Sequence, residues 1–84
     1  MPSPSRRMKA YVLMQVEPTK IEEVAEKIRG RGAGGGKCTS VDMVTGPYDL
    51  VCLCEGPDLK AISTCVLKCC CVAGVQRTTT CPVA

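Results

Sequence analysis

The chain has 84 residues, 45% hydrophobic and 23% charged, which leaves room for one small domain and excludes a disordered tail or a membrane span. With no His, Trp or Phe, most hydrolytic triads, histidine-bearing zinc sites and aromatic base-stacking platforms are excluded or weakened, so binding is favoured over catalysis. The formal net charge of +3 is carried by Arg6, Arg7 and Lys9, and residues 10 onward are neutral, without the electrostatic footprint that tracks a phosphate backbone.

Ser5-Arg6-Arg7 before an apolar stretch has the look of a twin-arginine signal, but Gln15 and Glu17 arrive too early for an h-region, so no signal peptide is read. Residues 1–7 are taken as a flexible extension, with Met8 a candidate start, and residues 8–84 as one domain. Tyr11 to Val16 is a short apolar run closed by Glu17-Pro18 and predicts a strand. Thr19-Lys20-Ile21-Glu22 has the form of a capping box and predicts a helix start at Thr19. Ile21, Val24, Ala25 and Ile28 then share one helical face, and Gly30 ends the helix.

Residues 30–36 hold five glycines and predict a flexible connection outside any regular element. A phosphate loop would need Gly-Lys-Ser/Thr opening a helix, whereas Gly36-Lys37-Cys38 leads into a strand-like stretch. Val41 to Val44, a turn over Thr45-Gly46-Pro47-Tyr48, and Leu50 to Cys54 predict a hairpin. A second helix is marked by Leu59, Ile62, Val66 and Cys69 or Cys70, with Asp58 or Gly56 near its cap and Gly74 as its stop. Val75 to Cys81 is threonine-rich, ends at Pro82 and predicts a last, edge-compatible strand.

The order is strand, helix, strand, strand, helix, strand, and the halves echo one another at an offset of 38, with Ile21 matching Leu59 and Val24 matching Ile62. A duplicated unit of this kind with right-handed crossovers predicts an α+β, ferredoxin-like βαββαβ sandwich: a four-stranded antiparallel sheet with two helices on one face. The first and third strands are apolar on both parities, as in Val12, Met14, Val16 with Tyr11, Leu13, and Leu50, Cys52, Cys54 with Val51, Leu53. The sheet face away from the helices then needs a cover, and a homodimer packed through its sheet faces is expected.

Eight cysteines are present, and their placement in apolar runs reads as buried thiols in a reducing cytoplasm rather than as a disulfide framework. No C-x2-C pair has a partner pair. Cys52 and Cys54 share one strand face, and the contiguous Cys69, Cys70 and Cys71 would diverge on a helix, so neither set builds a tetrahedral cage by itself and no metal ligand is assigned.

Met43-Val44-Thr45-Gly46-Pro47-Tyr48-Asp49-Leu50-Val51, with Gly74-Val75-Gln76-Arg77-Thr78-Thr79-Thr80 and the opening Met8-Lys9-Ala10-Tyr11-Val12-Leu13, resembles the effector-binding (RAM) domain of the Lrp/AsnC family. The resemblance covers most of residues 8–84. It implies a ferredoxin-like fold, dimers paired through their sheets and assembled into octamer-like rings, and amino-acid effectors held between dimers. It implies ligand-binding residues Gly46, Tyr48, Asp49, Arg77, Thr78 and Thr80, with Gly46 admitting backbone close to the ligand, Asp49 pairing an α-ammonium, and threonine hydroxyls or turn amides holding an α-carboxylate. The bland reading of the same residues is a hairpin turn, a cap and β-forming threonines. Two features depart from the family pattern: the residues before Ala10 cannot hold a helix-turn-helix domain, and a glycine run and a cysteine-rich second helix replace the usual residues.

The leading expectation is an amino-acid-binding, oligomerising module of transcription regulation, stand-alone and cytoplasmic, able to join full-length Lrp/AsnC-type regulators. It is expected to be no enzyme, to need no cofactor, and to make no direct contact with nucleic acid or membrane. The alternative is a metal- or thiol-handling ferredoxin-like protein that uses its cysteines, although chaperones of that kind place C-x-x-C where this chain has Glu17-Pro18-Thr19-Lys20.

Overall fold

The computed structural model describes residues 7–83, so the extension expected over residues 1–7 lies, apart from Arg7, outside the described residues. Four long strands form: β1 (Met8–Val16), β3 (Gly36–Met43), β4 (Leu50–Gly56) and β5 (Val75–Pro82). A fifth, β2 (Gly32–Ala33), adds to the sheet, whose order is β2-β3-β4-β1-β5 with every pairing antiparallel. The sheet therefore has five strands where the sequence predicts four. Without β2, the long strands lie in the order that two βαβ crossovers of a ferredoxin-like chain make.

The extra strand comes from the glycine run. Gly32 registers with Lys37 and Ala33 with Gly36, leaving Gly34-Gly35 as a two-residue hairpin loop. Both loop residues have positive φ, at 62° and 91°, as a type I′ turn requires. What the composition suggests is a flexible connection is thus a tight hairpin. Gly36 is buried against α2, and a Cβ there would lie 2.7 Å from the Ala61 carbonyl and 2.8 Å from the Cys65 Cβ, so a glycine lets strand and helix touch.

Helix α1 (Ile21–Ile28) buries Val24, Ala25 and Ile28 on the predicted face. Its start differs from expectation: a 3-10 turn over Pro18–Lys20 precedes it, closed by the Lys20 N–H donating to the Glu17 carbonyl at 2.8 Å, and Thr19 makes no cap. The turn pairs the Lys20 amide with Glu17, so the helix is entered through a 3-10 turn rather than through a side-chain cap. Helix α2 (Leu59–Cys65) is capped by Asp58, whose carboxylate accepts from the Ala61 N–H at 2.8 Å. It continues through one π-helical turn, Val66–Cys70. Both helices share a single apolar cluster with Ala10, Val12, Met14 and Val16 of β1 and Leu50, Cys52 and Cys54 of β4, so both cover the same sheet face. No helix among the described residues is long and apolar enough to cross a membrane.

Candidate functional site

Two places hold chemistry-bearing side chains. The first is where the β3–β4 loop folds over the end of β1. The Val44 N–H donates to the Asp49 carbonyl at 2.9 Å, and the Asp49 N–H donates to the Met14 carbonyl at 2.8 Å. The Asp49 carboxylate accepts from the Val16 N–H at 2.8 Å, at the register shift between Gln15 and Val16 in the β1–β5 pairing. The irregularity frees a backbone donor, and a nearby carboxylate takes it. Gln15 Nε2 donates to the Pro47 carbonyl at 3.0 Å, and the Tyr48 hydroxyl meets Thr79 Oγ1 at 3.2 Å. The loop is thereby tied to β1 and β5 together.

Of the residues predicted to bind ligand, the structure gathers some and separates others. Gly46 is exposed at the loop tip with φ 112°. Tyr48 and Asp49 are half-buried. Arg77 registers with Gln15 and Thr79 with Leu13, whereas Thr78 and Thr80 register with Met14 and Val12, which are fully buried beneath the helices. Alternation along β5 therefore puts Arg77 and Thr79 on the open face and Thr78 and Thr80 on the helix side of this edge strand. Asp49 and Arg77 bring opposite charges to the same end of β1, and no ion pair joins them among the described residues. Sequence reasoning missed Gln15 and Thr79. Thr79 was readable from the period of two that groups it with Arg77 and Cys81. A separate open cleft is lined by Pro18, Thr19, Ile21, Glu22 and Met43 and includes none of the predicted residues.

The second place is a nest of thiols between the sheet and α2. Cys38 on β3 registers with Cys54 on β4, and their sulfurs lie 3.4 Å apart. Cys38 Sγ is 3.7 Å from that of Cys65 and 3.8 Å from that of Cys70, and Cys52 and Cys54 are 3.8 Å apart. All five are 0% exposed, while Cys71 and Cys81 lie at the surface. Hydrogen bonds from Cys52, Cys54 and Cys70 hold the Cys38 thiol far below the ordinary thiol range. Cys52 and Cys70 are pushed up, chiefly because each serves Cys38 as a hydrogen-bond partner. Cys65 is pushed up first by burial and next by the charge on Cys38.

No protein-family model matches the chain, and no curated protein does. Solved structures do. The chain is similar to TTHA0845 from Thermus thermophilus, with 27% identity and a TM-score of 0.77 over 92% of each chain. It is similar to FFRP-DM1, with 26% identity and a TM-score of 0.78 over 92% of this chain and 99% of that one. It is also similar to hypothetical protein PHS023 from Pyrococcus horikoshii, with 26% identity and a TM-score of 0.77 over 92% of this chain and 89% of that one.

Proposed function

We propose that the chain is an effector-binding and oligomerising module of the Lrp/AsnC type that takes an amino acid and performs no chemistry on it. The observation that carries this reading is the likeness to FFRP-DM1, an Lrp/AsnC-type regulator, which spans nearly the whole of both chains. The loop geometry supports it. A free amino acid is a zwitterion, and Asp49 and Arg77 offer a carboxylate and a guanidinium at one end of β1. Gly46 leaves the loop tip open to close approach, with nothing within 4 Å of where a side chain would begin. Thr78 and Thr80 sit towards the other side of the same edge strand, and in this reading the ligand they serve is held between copies of the chain. In this reading the module pairs through its sheet faces and joins larger regulators through the same contacts.

Thermal denaturation against each of the twenty amino acids, run beside light scattering, tests the proposal. A ligand that binds only the folded state raises the melting temperature, by mass action, as its concentration passes the dissociation constant. A selective rise with one amino acid or a few, accompanied by a change in mass, is expected. Equal curves with all twenty would overturn it.

A further inference from the structure

We propose that Cys38, Cys52, Cys54 and Cys70 form a closed tetrathiolate site for one zinc ion, built into the layer between sheet and helix. The four sulfurs all lie within 4.8 Å of one another. Four sulfurs about 2.3 Å from a tetrahedral zinc are separated by about 3.8 Å along each edge. The spacings of 3.8 Å for Cys38–Cys70 and for Cys52–Cys54 match that edge, and 3.4 Å for Cys38–Cys54 is slightly inside it. The other spacings within the group lie inside 4.8 Å, so the four sulfurs are gathered close to the size of a coordination shell.

The backbone brings these residues together by three independent devices. Alternation along β4 aims Cys52 and Cys54 into the same layer. The β3–β4 register sets Cys38 opposite Cys54. The third device is the π-helical turn Val66–Cys70. In an α-helix Cys65 would stack over Cys69, whereas i to i+5 hydrogen bonding turns Cys70 inward beneath Cys65 as well. A π turn inserted where it delivers the fourth sulfur is a second observation pointing to a ligand. Such turns concentrate at functional sites.

The donor set fixes the class of ion. Thiolate sulfur selects zinc, copper(I) and iron over magnesium or calcium, and four sulfurs in tetrahedral array favour zinc or iron. Complete burial of all four cysteines leaves no open coordination position, which is the arrangement of a structural rather than a catalytic zinc. Zinc binding releases four thiol protons to solvent and leaves a centre of net charge −2: the cation's two charges offset half of the thiolate charge, and no buried charged side chain among the described residues offsets the rest. The site is independent of the effector reading, because it uses no residue of the β3–β4 loop or β5. It also differs from a metal carrier, which must expose its thiols to hand the ion on.

The test is cobalt(II) titration of the reduced full chain, followed by competition with zinc. The expected result is one cobalt per chain, thiolate-to-cobalt charge transfer in the ultraviolet, a strong tetrahedral band in the visible, and loss of both on adding one equivalent of zinc. Zinc, and not magnesium, is expected to raise the melting temperature. The spectrum is expected to survive in the Cys71→Ser/Cys81→Ser double variant and to be lost in Cys70→Ser. Should Cys70→Ser fail to fold by circular dichroism, cadmium NMR of the wild-type chain counts the sulfur ligands instead, with four expected. Absence of a tetrahedral cobalt spectrum in the wild-type chain, its loss in the double variant, or fewer than four sulfurs on cadmium would overturn the proposal.

Discussion

Gly36 is held by contact rather than by backbone angle, because its φ is not positive but a Cβ would press on the Ala61 carbonyl at 2.7 Å. Gly36→Ala must therefore push α2 away from β3, and overpacking of this kind costs about 1–3 kcal/mol. The midpoint of urea unfolding is expected to fall by that cost divided by the slope, with the slope itself unchanged. Gly46 offers the opposite case: φ is 112° and the space around it is empty, so Gly46→Ala meets strain without a clash. Asp49 carries two roles that a pair of variants separates. Its carboxylate satisfies the half-buried Val16 amide, and a hydrogen bond to a charged group contributes about 1.5–3 kcal/mol. Asp49→Ala is expected to lower the unfolding midpoint, whereas Asp49→Asn keeps an acceptor oxygen and loses less stability. Both variants remove the negative charge, so under the effector reading both lose amino-acid binding in calorimetry. Retained binding in Asp49→Asn would free Asp49 of the ammonium role.

At the scale of elements, the cap of α2 was legible as Asp58 or Gly56, and the structure uses Asp58, the residue just before the helix; Asp58→Ala is expected to cost about 1 kcal/mol, read as a lower melting temperature. The long strands and the buried face of α1 were legible for a similar reason: periods of two and of 3.6 are local properties of the sequence. The start of α1 was not, since Thr19 satisfies the capping pattern but Pro18 seeds a 3-10 turn that already closes on Glu17. Glycine density at residues 30–36 concealed β2 because the same composition suits a loose linker and a type I′ hairpin, and only the pairing partner, Lys37 and Gly36, decides between them. The thiol nest was the least legible feature. Cys52 and Cys54 were correctly placed on one strand face, but Cys38 joins them through long-range register and Cys70 through a π turn, and neither leaves a mark in cysteine spacing. The hairpin loop was read from Gly46 and Pro47, while its tie to β5 through Tyr48 and Thr79 depends on strand order that local pattern does not encode.

Viewed whole, the molecule is 16 Å across its shortest axis, the thickness of one sheet and one helix layer, since stacked layers lie about 10 Å apart. The helices occupy one face, and the other carries Tyr11, Leu13, Val51 and Leu53 in adjacent register on β1 and β4. Tyr11 is 48% exposed, and the other three are half-buried. At one end of this apolar strip Lys9 and Glu55 register with one another, a charged boundary of the kind found at the rim of interaction surfaces. A chain of this length buries only roughly 60% of its unfolded surface, and pairing two such faces adds apolar burial that the single layer lacks. Under the sheet-to-sheet homodimer reading, the melting temperature rises with protein concentration, because dissociation accompanies unfolding. Leu53→Glu places a carboxylate at the centre of the strip, where a symmetric contact would bring it near its own copy and leave it without solvent. Analytical ultracentrifugation is expected to give a dimer for the wild-type chain and a monomer for Leu53→Glu, with the far-ultraviolet circular dichroism of the two alike. A wild-type monomer at micromolar concentration, with a melting temperature independent of concentration, would overturn the sheet-to-sheet reading and mean that the apolar strip tolerates water.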